Sequence, residues 1–296
     1  MSASQVLFDE EFRQRLERLT LLSRRVLAQS LVGEHRSRHR TFAAEFADYR
    51  SYTQGDDFRH IDWNIYARME SVFVRLSEAN QDLTVHLLVD CSRSMDWGDP
   101  PKFFYARRAA AAMGYMALNR FDNLVVIPFS DHLHPGFGPT RGRGRVLGML
   151  DFLRDLTPGA VTNVDAILQR YAMRTRRRGD MLILISDLLP PNGYQAGLRT
   201  LIEHGWQVVV IHLFDPRELA PDLRGDLELI DNEYGDRLPL TPGPALIERY
   251  RKLVTDWCDE VATFCKRRGI DYLRVQTDWP FETLVLGYME QRGLVE

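Results

Sequence analysis

Oxygen-bearing side chains recur at three places that each follow an apolar run or open a helical pattern. They are Asp90, Ser92 and Ser94 in Asp90-Cys91-Ser92-Arg93-Ser94, Thr162 in Gly159-Ala160-Val161-Thr162-Asn163, and Asp187 after Met181-Leu182-Ile183-Leu184-Ile185-Ser186. Carboxylates and hydroxyls with no imidazole or thiolate among them suit a hard cation. Two acids and three neutral hydroxyls fit magnesium, which takes octahedral oxygen ligands and keeps several waters, with manganese or calcium as substitutes. So few negative charges leave a dication under-neutralised, and an Asp or Glu from another protein would be drawn in to complete its shell. The chemistry this predicts is binding rather than turnover.

Such convergence needs a scaffold. From Leu83 onward, buried strand patterns alternate with helical ones, as in a parallel sheet covered on both faces. Strands are expected at 83–89, 124–129, 181–186, 207–213 and 271–276, with an antiparallel edge strand at 132–137. In an open parallel sheet, the loops beyond the carboxyl ends of the strands line one crevice where ligands collect. Asp90 and Asp187 sit at such ends, and Thr162 opens the helical pattern Val164, Ile167, Leu168, Tyr171. Asp99 before Pro100 is expected to start the helix that runs through Met116. Leu246, Tyr250, Leu253, Trp257, Val261 and Phe264 are spaced as one face of a core-packing helix over 244–268, which Gly269 stops.

Before Leu83, the positions Phe12, Leu16, Leu19, Leu22 and Val26 predict an amphipathic helix between Asp9 and Gly33. Aromatic and β-branched residues at 46–53 and 72–76 predict two strands. The division expected is a helix-and-strand extension over 1–82 and an α/β domain over 83–296.

Composition excludes several classes. With 296 residues, 45% of them hydrophobic, the chain can fill a real core, and a net charge of −3 argues against general nucleic-acid binding. Three cysteines, Cys91, Cys258 and Cys265, form no C-x-x-C pair and suit a reduced, cytoplasmic protein. The N-terminal residues lack a signal-peptide pattern, and no apolar run approaches the roughly 20 residues of a membrane helix, so no membrane anchor is expected.

Other chemical readings are weaker. His132-x-His134 has no second pair to complete a zinc site, and both rings are expected in solvent. The basic residues from Arg174 to Arg178 suit a helix end, and Arg141-Gly142-Arg143-Gly144-Arg145 lacks the Walker spacing. The alternative function is a metal-dependent phosphoryl-transfer enzyme using Asp90, because an aspartate after a buried strand is a phosphatase nucleophile position. A phosphatase of that kind needs a second acid two residues on, where Ser92 stands.

The ligand order Asp-x-Ser-x-Ser, Thr, Asp resembles the metal-ion-dependent adhesion site of the von Willebrand factor A superfamily. The resemblance implies a mostly parallel sheet flanked by helices, direct ligation by Ser92 and Ser94, ligation by Thr162 in one state, and Asp90 and Asp187 acting directly or through water. Leu188 stands where many relatives carry glycine. The preceding segment, Glu45-Phe46-Ala47-Asp48-Tyr49-Arg50-Ser51-Tyr52 with Gly55-Asp56-Asp57-Phe58-Arg59-His60-Ile61-Asp62-Trp63 and Ala67-Arg68, resembles the bacterial domain of unknown function 58 family. Thr41 departs from that pattern, where glycine is expected. The resemblance implies an adaptor working with a MoxR-type AAA+ ATPase. Of its motif, Arg50, Tyr52, Gly55, Asp56, Asp57, Arg59, Asp62, Trp63 and Arg68 are expected either to form a partner surface or, more in keeping with alternating acids and bases, a structural ion-pair network.

Overall fold

In the computed structural model, the residues described are 7–18, 48–52, 72–76, 83–174, 179–189, 193–231 and 235–291. The chain divides into two compact units, Met1–Ser30 together with Leu83–Glu296, and Leu31–Asp82.

The larger unit is built on a six-stranded sheet of order β10-β7-β6-β3-β4-β5. Its strands are β3 (Thr84–Asp90), β4 (Asn123–Phe129), β5 (Phe137–Arg141), β6 (Met181–Ser186), β7 (Gln207–Phe214) and β10 (Asp271–Gln276). All neighbours are parallel except the β4–β5 pair at one edge. The continuous apolar runs of β3 and β6 are buried along their whole length, as strands covered on both faces must be. Counted within this sheet, the order is 3-2-1-4-5-6, so the chain reverses direction across the sheet between β3 and β6. That switch point is where Asp90 and Asp187 emerge.

One face carries α2 (Lys102–Asn119), α3 (Val146–Asp155) and α8 (Phe281–Gln291). Alanines at 109–112 let α2 approach β3 closely, and all four are fully buried. The helix α1 at 10–18 belongs to the same unit: Asp9 Oδ1 accepts from the Phe12 N–H at 2.7 Å, and the Phe12 ring lies 4.7 Å from that of Phe281. Phe12 and Leu16 are buried as their spacing predicts, while Leu19, Leu22, Val26 and Gly33 lie outside the described residues.

The other face carries α4 (Val164–Arg174), α5 (Gln195–Glu203) and α7 (Pro244–Arg267). Val164, Ile167, Leu168, Leu198, Leu201, Val261 and Cys265 pack there against Leu88, Leu182, Leu184, Val208 and Val210. Between β7 and α7 come the short α6 (Pro216–Leu219) and the antiparallel hairpin β8 (Leu227–Ile230) with β9 (Arg237–Leu240).

Three expectations need correcting. The edge strand lies at Phe137–Arg141 rather than 132–137, with residue 133 making only an isolated bridge to Phe129. Pro139 within it is tolerable because an edge strand has one side without a ladder partner. Asp99 caps nothing: residues 98–101 form a closed turn, and α2 starts at Lys102. Lastly, α7 packs into the core only through its second half. Cys258, Val261 and Cys265 are buried, whereas Leu246, Tyr250 and Leu253 are 43%, 41% and 59% exposed. The first half follows the hairpin and rests on α6, where the Tyr250 hydroxyl donates to the Glu218 carbonyl at 2.9 Å.

In the smaller unit, β1 (Asp48–Ser51) pairs antiparallel with β2 (Phe73–Leu76), so both expected strands form.

Candidate metal centre

Asp90 ends β3, and its side chain closes the turn that follows: Oδ1 accepts from the Ser92 N–H at 2.9 Å. That turn brings the next two hydroxyls together, with Ser92 Oγ and Ser94 Oγ 3.0 Å apart. That separation lies within the ordinary range of a hydroxyl–hydroxyl hydrogen bond. Two ligands on adjacent vertices of a magnesium octahedron, each about 2.1 Å from the ion, stand about 3.0 Å apart by geometry. Ser92 is buried and Ser94 half-buried, so the pair opens to solvent on the Ser94 side.

The β6 end meets the same turn. Ser186 Oγ donates to Asp90 Oδ2 at 2.6 Å and accepts from the Leu188 N–H at 3.0 Å. Asp187 is fully buried, with the Ser94 hydroxyl among the groups that help hold its carboxylate low, while Oδ1 accepts weakly from the Leu189 N–H at 3.3 Å. Leu188 holds φ +50, in the left-handed region that glycine adopts most cheaply, and its side chain is buried. The loop therefore has the shape glycine would give it, with hydrophobic burial offsetting a cost of about 1–2 kcal/mol.

Thr162 is buried in a loop that hydrogen bonds clip against the Ser92 turn. The Arg93 N–H donates to Ala160 O at 3.0 Å, the Gly159 N–H to Cys91 O at 2.8 Å, and Arg93 Nε to Gly159 O at 2.8 Å. The Thr162 hydroxyl itself is given to Ser130 O at 3.1 Å. Asp90, Ser92, Ser94 and Asp187 thus form one cluster, with Thr162 in the adjoining wall and its hydroxyl turned to the β4 end.

One residue of the cluster carried no sequence signal. Lys102, the first residue of α2, is fully buried, and Nζ donates to Asp187 Oδ2 at 2.8 Å and to Glu218 Oε1 at 2.5 Å. A lysine in the first helical turn opposes the helix dipole and reads as a solvated side chain. Here the carboxylates come from 85 and 116 positions away, beyond the reach of any local pattern. Glu218 is itself fixed by α6, where it and Asp215 complete a capping box: Glu218 Oε2 accepts from the Asp215 N–H at 2.8 Å. Gly98, at φ +118, lets the turn before Lys102 close against α6, since a β-carbon there would stand 2.7 Å from Asp215 Oδ2.

Electrostatically the two aspartates are pushed apart. Burial, and then the neighbouring charge of Asp187, raise Asp90 to about 7. Asp187 is held below the usual carboxylate range: burial would raise it, but the Lys102 ammonium beside it prevails. Burial would depress Lys102, yet Asp187 and Glu218 keep it charged. Burial raises Glu218, with Lys102 opposing. Beneath the site, His212 is lowered to about 3 by burial. Its Nε2 lies 2.8 Å from the Asp187 carbonyl and so must carry the proton, leaving Nδ1 to accept from the Tyr272 hydroxyl at 2.8 Å.

Among the described residues, no group of three or more His, Cys, Asp or Glu side chains is placed to hold a metal ion. The donor set fits a hard cation by its hydroxyls, with Asp187 the anionic member. His132 is exposed and pairs with Asp131 at 2.7 Å, while His134 is partly covered, with Nε2 2.7 Å from Ser130 Oγ. In the smaller unit, Arg50 lies on β1 opposite Val74, and Tyr52 is 38% exposed with its N–H on Val72 O at 2.9 Å. Gly55, Asp56, Asp57, Arg59, Asp62, Trp63 and Arg68 lie outside the described residues.

Residues 48–257 match the family described as protein of unknown function DUF58. The chain belongs to that family. Among curated relatives, the uncharacterized protein Rv1480 of Mycobacterium tuberculosis is 28% identical over 268 residues, covering 89% of this chain and 84% of that one. A solved structure of the conserved hypothetical protein BatB from Bacteroides thetaiotaomicron is similar at 16% identity and TM-score 0.44, over 71% of this chain and 98% of that chain. A von Willebrand factor type A structure from Catenulispora acidiphila is similar at 17% identity and TM-score 0.38, over 58% and 42%. The α/β fold with a mostly parallel, helix-flanked sheet expected from the sequence is the fold observed. No helix among the described residues is long and apolar enough to cross a membrane.

Proposed function

We propose that this DUF58 protein is a noncatalytic adaptor that binds another protein through a divalent ion, magnesium by donor type, held by Ser92, Ser94 and Asp187, with Asp90 and Thr162 in support. The observation that carries this reading is the 3.0 Å Ser92–Ser94 hydroxyl pair beside the Asp187 carboxylate at the sheet's switch point. The ion would supply a positive centre for an acidic side chain of the partner. Exposed Leu189 and Trp97, each a few residues from a ligand segment, offer apolar surface nearby.

The phosphoryl-transfer alternative is less well supported. Asp90 is fully buried, and both its oxygens are engaged by Ser92 and Ser186, which leaves a nucleophile no approach. The partner class proposed from the family resemblance is a MoxR-type AAA+ ATPase or its client. A cytoplasmic setting is in keeping with three free, buried cysteines.

The test is copurification from cells with tagged full-length chain. A partner retained in magnesium, released by a chelator and lost in Ser94→Ala supports the adaptor. Retention unchanged by both treatments would overturn it.

A further inference from the structure

The candidate site already contains a cation of its own. Lys102 Nζ sits 2.8 Å from Asp187 Oδ2, with no solvent exposure, and is shared with Glu218 at 2.5 Å. Glu218 cannot drift away, because its other oxygen closes the α6 capping box on the Asp215 N–H. The start of α2 is anchored as well: the Lys102 backbone N–H donates to Trp97 O at 2.9 Å, and its side chain is fully buried. An ammonium and a dication drawing on the same carboxylate repel each other, and between groups as buried as Lys102 and Asp187 the repulsion is only partly screened.

We propose that Lys102 is a specificity-determining residue of the metal centre, a built-in competitor that holds Asp187 and keeps the affinity for a bare divalent ion low. Resting on the metal-binding reading above, this deepens it. A site that retains its ion poorly alone retains it well once a partner's carboxylate adds the missing charge, so ion and acidic partner bind together. The Lys102–Glu218 pair sets how hard the competitor pulls: Glu218 draws the ammonium partly off Asp187.

The experiment is titration of the purified full-length chain with manganese, following free Mn2+ by electron paramagnetic resonance, with circular dichroism to establish folding. Lys102→Gln keeps a donor for Asp187 and removes the charge, and it is expected to bind Mn2+ at least about tenfold more tightly than wild type. Glu218→Gln leaves the ammonium to Asp187 alone, keeps an acceptor for the capping box, and is expected to bind at least about threefold more weakly. Should Lys102→Gln fail to fold, the Glu218→Gln result decides. Wild type that binds while folded Lys102→Gln binds no more tightly overturns the competitor and leaves the metal site standing. Wild type that does not bind while Lys102→Gln does supports the competitor and removes the ion from the function proposed for the native chain. Binding by neither overturns both.

Discussion

The Leu188 N–H donates to Ser186 Oγ at 3.0 Å, and the same hydroxyl donates to Asp90 Oδ2 at 2.6 Å, so the loop after β6 steadies the acid at the end of β3. That turn requires φ +50 at Leu188, a conformation costly for any residue with a β-carbon. Burial of the leucine side chain, about 2–3 kcal/mol, offsets it.

Replacing Leu188 therefore inverts the usual order of small residues. In ordinary helix or strand backbone, glycine is less stable than alanine by about 0.5–1 kcal/mol. At position 188, Leu188→Ala loses the burial and keeps the strain, and it should cost about 2–4 kcal/mol. Leu188→Gly loses the same burial but sheds the strain, and should be the more stable of the two by about 1 kcal/mol. Chemical denaturation of the pair checks this; alanine above glycine would mean that the loop does not hold the left-handed turn.

Ser186→Ala removes the hydrogen bond to buried Asp90 and the acceptor for Leu188. A destabilisation of about 1–3 kcal/mol is expected, as for a buried polar group left without its partner. Thermal melts of the two proteins at matched pH measure it, and an unchanged melting temperature would deny the hydroxyl its bridging role.

The buried imidazole of His212 predicts a particular acid sensitivity. Its folded value, near 3, lies below that of an unfolded histidine, near 6.5, so the unfolded chain takes up the extra proton first. Stability from this group is complete above about pH 6.5 and falls by up to about 1.4 kcal/mol per pH unit as pH drops toward 3. His212→Gln keeps polar contacts to Asp187 O and Tyr272 and cannot titrate. Its stability should fall less steeply than wild type between pH 6 and pH 4 in denaturant titrations; parallel slopes would show that His212 is not held neutral.

Much of the scaffold is legible in the sequence because it is written locally. The fully apolar runs of β3 and β6 announce strands covered on both faces, and acids placed just beyond them announce a crevice. Where long-range packing decides, local pattern misleads. Leu246, Tyr250 and Leu253 have the spacing of a core face, yet the half of α7 that carries them lies on α6 rather than on the sheet. The antiparallel edge strand forms five residues later than its hydrophobic run suggests, after the turn at the end of β4. Lys102 is invisible for a sharper reason: nothing near it in sequence shows that Asp187 and Glu218 will bury it. Leu188 is the opposite case, where a residue with a β-carbon stands in a backbone conformation that glycine adopts most cheaply.

Binding of a divalent ion by the Asp90–Ser94 turn and Asp187 is open to isothermal titration of the full-length chain with Mg2+ and Mn2+, beside the double variant Ser92→Ala, Ser94→Ala. Saturable binding of about one ion per chain in the wild type, lost in a double variant that still folds, is the result predicted. Equal binding by both proteins, or none by either at millimolar ion, would contradict it.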